Sequence, residues 1–71
     1  MERLAIALGK NIRRHRMARG FSQEELSDRA AIHYTYLGHI ERGTRLPSMS
    51  TPNRIAKALA VSLSELCKNV G

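Results

Sequence analysis

The sequence has a single cysteine, no tryptophan, and aromatic residues at only 4% of its positions. One cysteine, Cys67, cannot form a disulfide within the chain, which excludes a disulfide-stapled secreted fold and favours a reducing compartment, the cytoplasm. No apolar run approaches the roughly 18 residues that span a membrane, and the first residues lack the pattern of a secretory signal. With so few aromatic residues, the core must be mostly aliphatic.

Motifs for catalysis and metal binding are also missing. His15, His33, His39 and Cys67 are separated by 18, 6 and 28 residues, without the paired spacing of a metal site. No serine, histidine or acid stands in a nucleophile motif, and a chain of 71 residues has little room for a closed pocket. We therefore expect no metal, no cofactor, no small-molecule substrate and no enzymatic activity.

Positive charge is abundant in this sequence. Twelve Lys and Arg residues oppose six Asp and Glu residues, for a net charge of +6, and six of those twelve cations lie in the first nineteen residues. This balance favours a polyanionic partner, with nucleic acid first and an anionic membrane surface second. A membrane-active helix over residues 3–19 is less well supported, because its leucines are needed for a core and it has no aromatic anchor.

Two segments carry the same signal for the start of a helix. Ser22 and Glu25 have the spacing of a capping box, in which each side chain satisfies a free backbone N–H of the other residue. Phe21 and Leu26 flank the box as a hydrophobic staple. The segment Val61-Ser62-Leu63-Ser64-Glu65-Leu66 repeats both features. These signals predict a helix over 23–30 and another beginning after Ser62.

Periodicity and helix breakers predict the other helices. Leu4, Leu8 and Ile12 recur every four residues, which predicts a core-facing first helix from about residue 3 to 19, ended by Gly20. A third helix fits 34–42 and ends at Gly43, and a fourth spans roughly 50–60 with a proline in its first turn. Nothing predicts a strand. We expect one all-α, compact five-helix domain over residues 1–71.

The second and third helices form a helix-turn-helix, because a short turn joins them. At about 100° per residue, Tyr36, Leu37 and Ile40 of the third helix face the core. The opposite face carries short polar side chains and a glycine, Gly38, which costs roughly 0.5–1 kcal/mol relative to alanine in a helix. That cost is sensible if another surface, such as a DNA major groove, approaches the helix backbone closely.

Several of these segments together resemble the Xre family of phage repressor and Cro-like helix-turn-helix proteins. The similarity covers about residues 8–67, although Ala31 stands where the family's turn commonly has glycine. The Thr35-Tyr36 pair and the Ile40-Glu41-Arg42-Gly43 run also resemble the controller proteins of restriction–modification systems. The motifs that carry the resemblance are Ser22-Gln23-Glu24-Glu25-Leu26, Tyr36-Leu37, Ile40-Glu41-Arg42-Gly43, Pro47-Ser48, Ile55-Ala56-Lys57-Ala58-Leu59 and Val61-Ser62-Leu63-Ser64-Glu65-Leu66.

The resemblance implies a phage repressor-like fold in which 34–42 is the recognition helix. By analogy, the residues that touch bases are Tyr34, Thr35, Gly38 and His39. Gln23 is implied to contact a phosphate, and we expect further phosphate contacts from Arg13, Arg14, Arg42 and Arg45. The family also pairs an arginine of the first helix with an acid of the recognition helix, which implies an ion pair between Arg16 and Glu41.

The function expected from the sequence is transcriptional regulation through sequence-specific binding of double-stranded DNA. One recognition helix reads too few base pairs, so a homodimer on a pseudo-palindromic operator is expected. Its apolar contact is expected from Leu63, Leu66, Cys67 and Val70. The alternative is an antitoxin-type interaction module that also binds DNA, although the chain has little surface beyond the domain for a protein partner.

Overall fold

The computed structural model describes residues 3–48 and 50–70, and this part of the chain forms five α-helices with no strand. The helices are α1 (Arg3–Ala18), α2 (Gln23–Ala30), α3 (Tyr34–Arg42), α4 (Thr51–Leu59) and α5 (Leu63–Leu66). The all-α prediction is confirmed, and α2 and α3 have the predicted bounds. None of the helices in these two ranges is both long and apolar enough to cross a membrane.

The predicted capping box at the start of α2 is formed. The Glu25 backbone N–H donates to Ser22 Oγ at 3.0 Å, and the Ser22 N–H donates to Glu25 Oε1 at 2.9 Å. At α5 the Glu65 N–H donates to Ser62 Oγ at 2.9 Å, so the serine half of the second box is present. Local sequence therefore sets both helix starts.

The turn between α2 and α3 keeps a left-handed backbone although its residue is alanine. Ala31 has φ of 59° and ψ of 45°, and the Ile32 N–H closes the turn on the Ser27 carbonyl at 2.9 Å. An alanine in this region is strained by about 1 kcal/mol. His33 then caps α3, because its Nδ1 accepts from the Thr35 N–H at 3.1 Å. The turn geometry of a helix-turn-helix thus survives the replacement of glycine.

The core is aliphatic and is shared by all five helices. Leu4 was predicted to face this core but is 40% exposed, and Ala5 is buried instead. The reason is angular: residues four apart drift by about 40° around a helix, so Leu4 lies about 80° from Ile12, whereas Ala5 lies within about 20° of it. The fully buried large side chains are Ile12, Leu26, Leu37, Ile40, Ile55, Leu59 and Leu66.

Leu66 was predicted to form part of a dimer surface, and the structure corrects this. Its side chain has no exposed area, because α5 turns it into the core of the same chain. Leu63 on the same short helix is 42% exposed, while Cys67 and Val70 are half-buried. The part of the predicted surface that remains accessible is therefore centred on Leu63.

A glycine sets the distance between α1 and the recognition helix. A Cβ on Gly9 would overlap the Ile40 carbonyl oxygen and would lie 2.7 Å from the Glu41 carbonyl oxygen. The two backbones can approach this closely only because residue 9 has no side chain. Gly9 therefore positions α3 against α1, a role that the sequence analysis did not identify.

Candidate nucleic-acid interface

The outward face of α3 presents a small set of polar and aromatic groups to solvent. Thr35 is exposed and His39 is half-exposed on this face. Tyr34, at its edge, is 53% exposed, and its ring stacks on that of His33 with centroids 5.3 Å apart. These side chains can donate and accept hydrogen bonds, and none of them is fixed in the core. The structure thus brings three of the four predicted base-contacting residues to one surface.

Gly38, the fourth of these residues, is buried by a neighbour on its own helix. The Arg42 guanidinium lies over it, with Nη1 only 3.2 Å from the position that a Cβ on Gly38 would take. Arg42 Nη2 is also 3.3 Å from His39 Nδ1. Arg42 was expected to serve a phosphate from the end of α3. Its charged group instead lies one turn back, in the middle of the outward face.

Glu41 and Arg16 join α3 to α1 through a two-pronged ion pair. Arg16 Nε donates to Glu41 Oε2 at 2.7 Å, and Arg16 Nη2 donates to Glu41 Oε1 at 3.0 Å. Arg16 Nη1 donates further to the Phe21 carbonyl at 2.9 Å. The side chains are only 12% and 3% exposed. The structure therefore places Arg16 and Glu41 in the pairing that the resemblance implies.

Gln23 completes the surroundings of this carboxylate. Its Nε2 donates to Glu41 Oε1 at 3.0 Å, so Glu41 accepts three side-chain hydrogen bonds. A primary amide has two N–H donors, and the second donor of Gln23 is left for another acceptor. Gln23 also lies in the first turn of α2, where the helix dipole favours an anion. The arrangement is compatible with the expected phosphate contact.

Two basic clefts flank the outward face of α3. The first, which we call the α1 cleft, includes Lys10 and Arg13 beside Arg42, together with the ion pair and Gln23. The second, the loop cleft, includes Arg45 and Arg54 beside Thr35 and His39. Cations thus line both sides of the polar face, as the two phosphate strands of a major groove would require. Arg14 lines a neighbouring depression with Lys10, Arg13 and Met17.

Lys10 and Arg54 are cleft residues that sequence reasoning missed. Arg54 reaches the loop cleft from α4, where its Nη1 donates to the Ala31 carbonyl at 3.4 Å. Because it is brought there by tertiary packing, its position relative to α3 could not be read from a helical period. Lys10 lies one turn before Arg13 and Arg14 on α1, so the spacing of cations along that helix was an available signal.

Tyr36 fixes the loop that carries Arg45. Its ring packs against the core, the Ser48 backbone N–H donates to its hydroxyl at 3.1 Å, and the Arg45 guanidinium lies 5.7 Å from the ring centroid. Burial of the ring raises the pKa of Tyr36. The hydrogen bonds from Ser48 and Thr51 and the charge of Arg45 outweigh that effect, and they lower the pKa below its usual 10.0.

The chemistry available at this surface is recognition of an anion. Within residues 3–48 and 50–70, no three His, Cys, Asp or Glu side chains are grouped as metal ligands would be. The outward face of α3 instead offers hydroxyl, imidazole and guanidinium groups between two rows of cations. A helix that carries these side chains fits the DNA major groove, which is about 12 Å wide.

Comparisons with known proteins agree with this geometry. The helix-turn-helix family model matches residues 12–66. The chain is 38% identical over 64 residues to control protein C.SmaI of Serratia marcescens, covering 90% of this chain and 76% of that protein. It is 36% identical over 64 residues to control protein C.BamHI of Bacillus amyloliquefaciens, covering 89% and 79%. The crystal structure of the restriction-modification controller protein C.AhdI from Aeromonas hydrophila superposes with a TM-score of 0.85, at 34% identity over 87% of this chain and 94% of that chain.

Proposed function

The chain belongs to the helix-turn-helix family of DNA-binding regulators, and we propose that two copies of it bind a pseudo-palindromic operator. It is a sequence-specific DNA-binding regulator of transcription. Its similarity to control proteins favours the finer role of a restriction–modification controller in the cytoplasm. We infer that it regulates by occupying DNA and carries no enzymatic activity of its own.

The observation that carries this proposal is the position of the polar face of α3 between the α1 cleft and the loop cleft. When a helix enters the major groove, the phosphates of the two strands lie on either side of it. We expect Arg13 to contact one of these strands and Arg45 the other. Cations on only one side of α3 would allow the protein to bind a negatively charged surface, but they would not centre the helix in a groove.

Base reading is assigned to the outward face of α3. Thr35 and His39 present a hydroxyl and an imidazole at the centre of the face, and Tyr34 presents its phenol at the edge. Gly38, having no side chain, leaves room on this face for the Arg42 guanidinium. Phosphate contacts are assigned to Arg13, Arg14 and Arg45, and to the free amide hydrogen of Gln23. This division follows the general pattern in which phosphate contacts position a protein and base contacts specify the sequence.

A dimer is required because half-sites must be read together. Equivalent recognition helices must lie about 34 Å apart, one DNA turn, to read half-sites on the same side of the duplex. The protomer measures 26 × 23 × 22 Å, so two protomers side by side have a suitable size. Leu63 is the exposed leucine beside half-buried Cys67 and Val70, and we assign the apolar contact between protomers to this region.

The proposal is tested by selecting bound sequences from a random duplex pool and measuring the stoichiometry on the selected site. The expected product is an inverted repeat whose half-sites are centred about 10 base pairs apart, bound by two protein chains. A Leu63→Asp variant should lose two-chain occupancy while keeping its fold. Enrichment of a single half-site, bound by one chain at full affinity, would contradict the dimer. Equal binding to anionic vesicles and to the selected duplex would contradict a DNA-specific role.

A further inference from the structure

We propose that Arg42 is a specificity-determining residue that reads a guanine in the major groove, rather than a contact to the phosphate backbone. Gly38 provides the space that holds its guanidinium over the middle of the recognition face. The inference rests on the proposed function, since it requires α3 to lie in the groove. It goes further by naming the chemistry that one side chain recognises.

The position of the guanidinium follows from the geometry of the helix. Side chains on a helix point back toward its N-terminus, so the head group of Arg42 covers the residue one turn earlier. That residue is Gly38, which has only a hydrogen in place of a side chain and so leaves space for Arg42 Nη1. A Cβ there would lie 3.2 Å from Nη1 and 3.9 Å from Cζ and Nη2, so a methyl group would press the guanidinium outward. Glycine at 38 thus fits the arginine at 42.

His39 contacts the second terminal nitrogen of the Arg42 guanidinium. Arg42 Nη2 is 3.3 Å from His39 Nδ1, and because a guanidinium only donates hydrogen bonds, Nδ1 is the acceptor. Thr44 Oγ1 lies 3.2 Å from the same Nδ1, but its hydroxyl donates to the His39 carbonyl at 3.0 Å and can only accept from the ring, so the Arg42 contact requires the His39 tautomer that carries its proton on Nε2. One of the five N–H donors of Arg42 is used in this contact. The others remain for an acceptor in the groove.

A guanine is the base that matches these donors. Its major-groove edge presents two acceptors, O6 and N7, and an arginine fork bonds both. Adenine presents one donor and one acceptor, and thymine and cytosine present no paired acceptors. The Arg42 guanidinium borders the α1 cleft, but it is turned back over Gly38, on the face of α3 that carries Thr35 and His39. The position therefore favours base reading over a backbone contact.

The test uses duplexes selected with the wild-type protein, in which 7-deazaguanine replaces each guanine in turn and so removes N7 alone. We expect one guanine per half-site at which the replacement weakens wild-type binding, and at which Arg42→Lys and Arg42→Ala lose base preference by roughly 5- to 150-fold. Arg42→Lys keeps the charge and removes the fork. Arg29→Lys, an exposed arginine of α2 outside both clefts, is the matched control, and it should keep the wild-type preference at every position.

Gly38→Ala gives a second, independent measurement. Alanine favours the helix, so this variant should fold at least as well as the wild type. It should lose preference at the same guanine, and adding Arg42→Ala should cause no further loss at that position. If the Arg42 variants keep the full base preference and lose only salt dependence, Arg42 contacts a phosphate and the inference is wrong. If the wild-type protein selects no sequence at all, the proposed function itself fails.

Discussion

Replacing Arg16 by alanine should destabilise the protein more than any other loss of a single cation. Glu41 would keep its buried position, with a side chain only 3% exposed, but would lose two of its three side-chain hydrogen bonds. Removing one partner of a buried ion pair costs about 3–5 kcal/mol. The remaining bond from Gln23 places the expected loss near 3 kcal/mol. For a domain of this size, that corresponds to a fall in Tm of roughly 12–24 °C.

The reverse replacement should cost less. In Glu41→Ala, Arg16 keeps its bond to the Phe21 carbonyl, and its 12% exposed side chain can extend into water. We expect a loss of about 1–2 kcal/mol, from a charge-assisted hydrogen bond and a small cavity. The double variant should be more stable than the sum of the two losses predicts, by about 1–3 kcal/mol, because it leaves no unpaired charge in the core.

The assay is urea unfolding followed by far-ultraviolet circular dichroism, since the chain has no tryptophan for fluorescence. Arg13→Ala is the matched control, because it removes an exposed cation from the same helix and should change stability by less than about 0.5 kcal/mol. Single losses below about 1 kcal/mol that add in the double variant would show that Arg16 and Glu41 are independent solvated charges. The reasoning from their burial would then be wrong.

Three further predictions concern other contacts. His15→Leu should raise the free energy of unfolding by about 1 kcal/mol, because His15 Nε2 is buried without a hydrogen-bond partner among the described residues. A free energy of unfolding below that of the wild type would refute this. In Tyr34→Phe, where Tyr36 is the only tyrosine, the absorbance titration should have its midpoint below 10.0. Because folding lowers the pKa of Tyr36, its ionisation should stabilise the fold at alkaline pH, and this stabilisation should be lost as the pH falls through the folded pKa. A titration midpoint at or above 10.0 would contradict the lowered pKa. Arg13→Gln and Arg45→Gln should each reduce the salt slope of DNA binding by about one, and unchanged slopes would show that the phosphate contacts lie elsewhere.

The sequence was sufficient for the helices whose ends depend on local bonds. Ser22 and Glu25 satisfy each other within one turn, so their spacing alone predicts the start of α2. Leu4 shows where counting fails, because a repeat of four drifts around a helix and Ala5 takes the core position. Leu66 shows a second limit. A helix of four residues has too few positions for periodicity to separate its buried side from its exposed side.

The candidate site, like the fold, could be predicted from the sequence only in part. The polar face of α3 follows from its periodicity, which places Thr35 and His39 outward. The cleft residue Arg54 comes from a helix that is distant in sequence, and only the packed structure brings it beside α3. The backward reach of Arg42 over Gly38 was not predicted, because it depends on the side-chain direction and on the absence of a Cβ at residue 38.

In the proposed complex, α3 reads the bases while the flanking cations contact the DNA backbone. The most direct measurement compares wild type and Thr35→Ala on a selected operator and on a scrambled duplex of equal length, at one fixed salt concentration. Thr35 is exposed, so the variant should fold normally. We predict that operator binding weakens by about 1–3 kcal/mol while binding to the scrambled duplex is unchanged. Equal weakening on both duplexes, or none on either, would contradict base reading by this face.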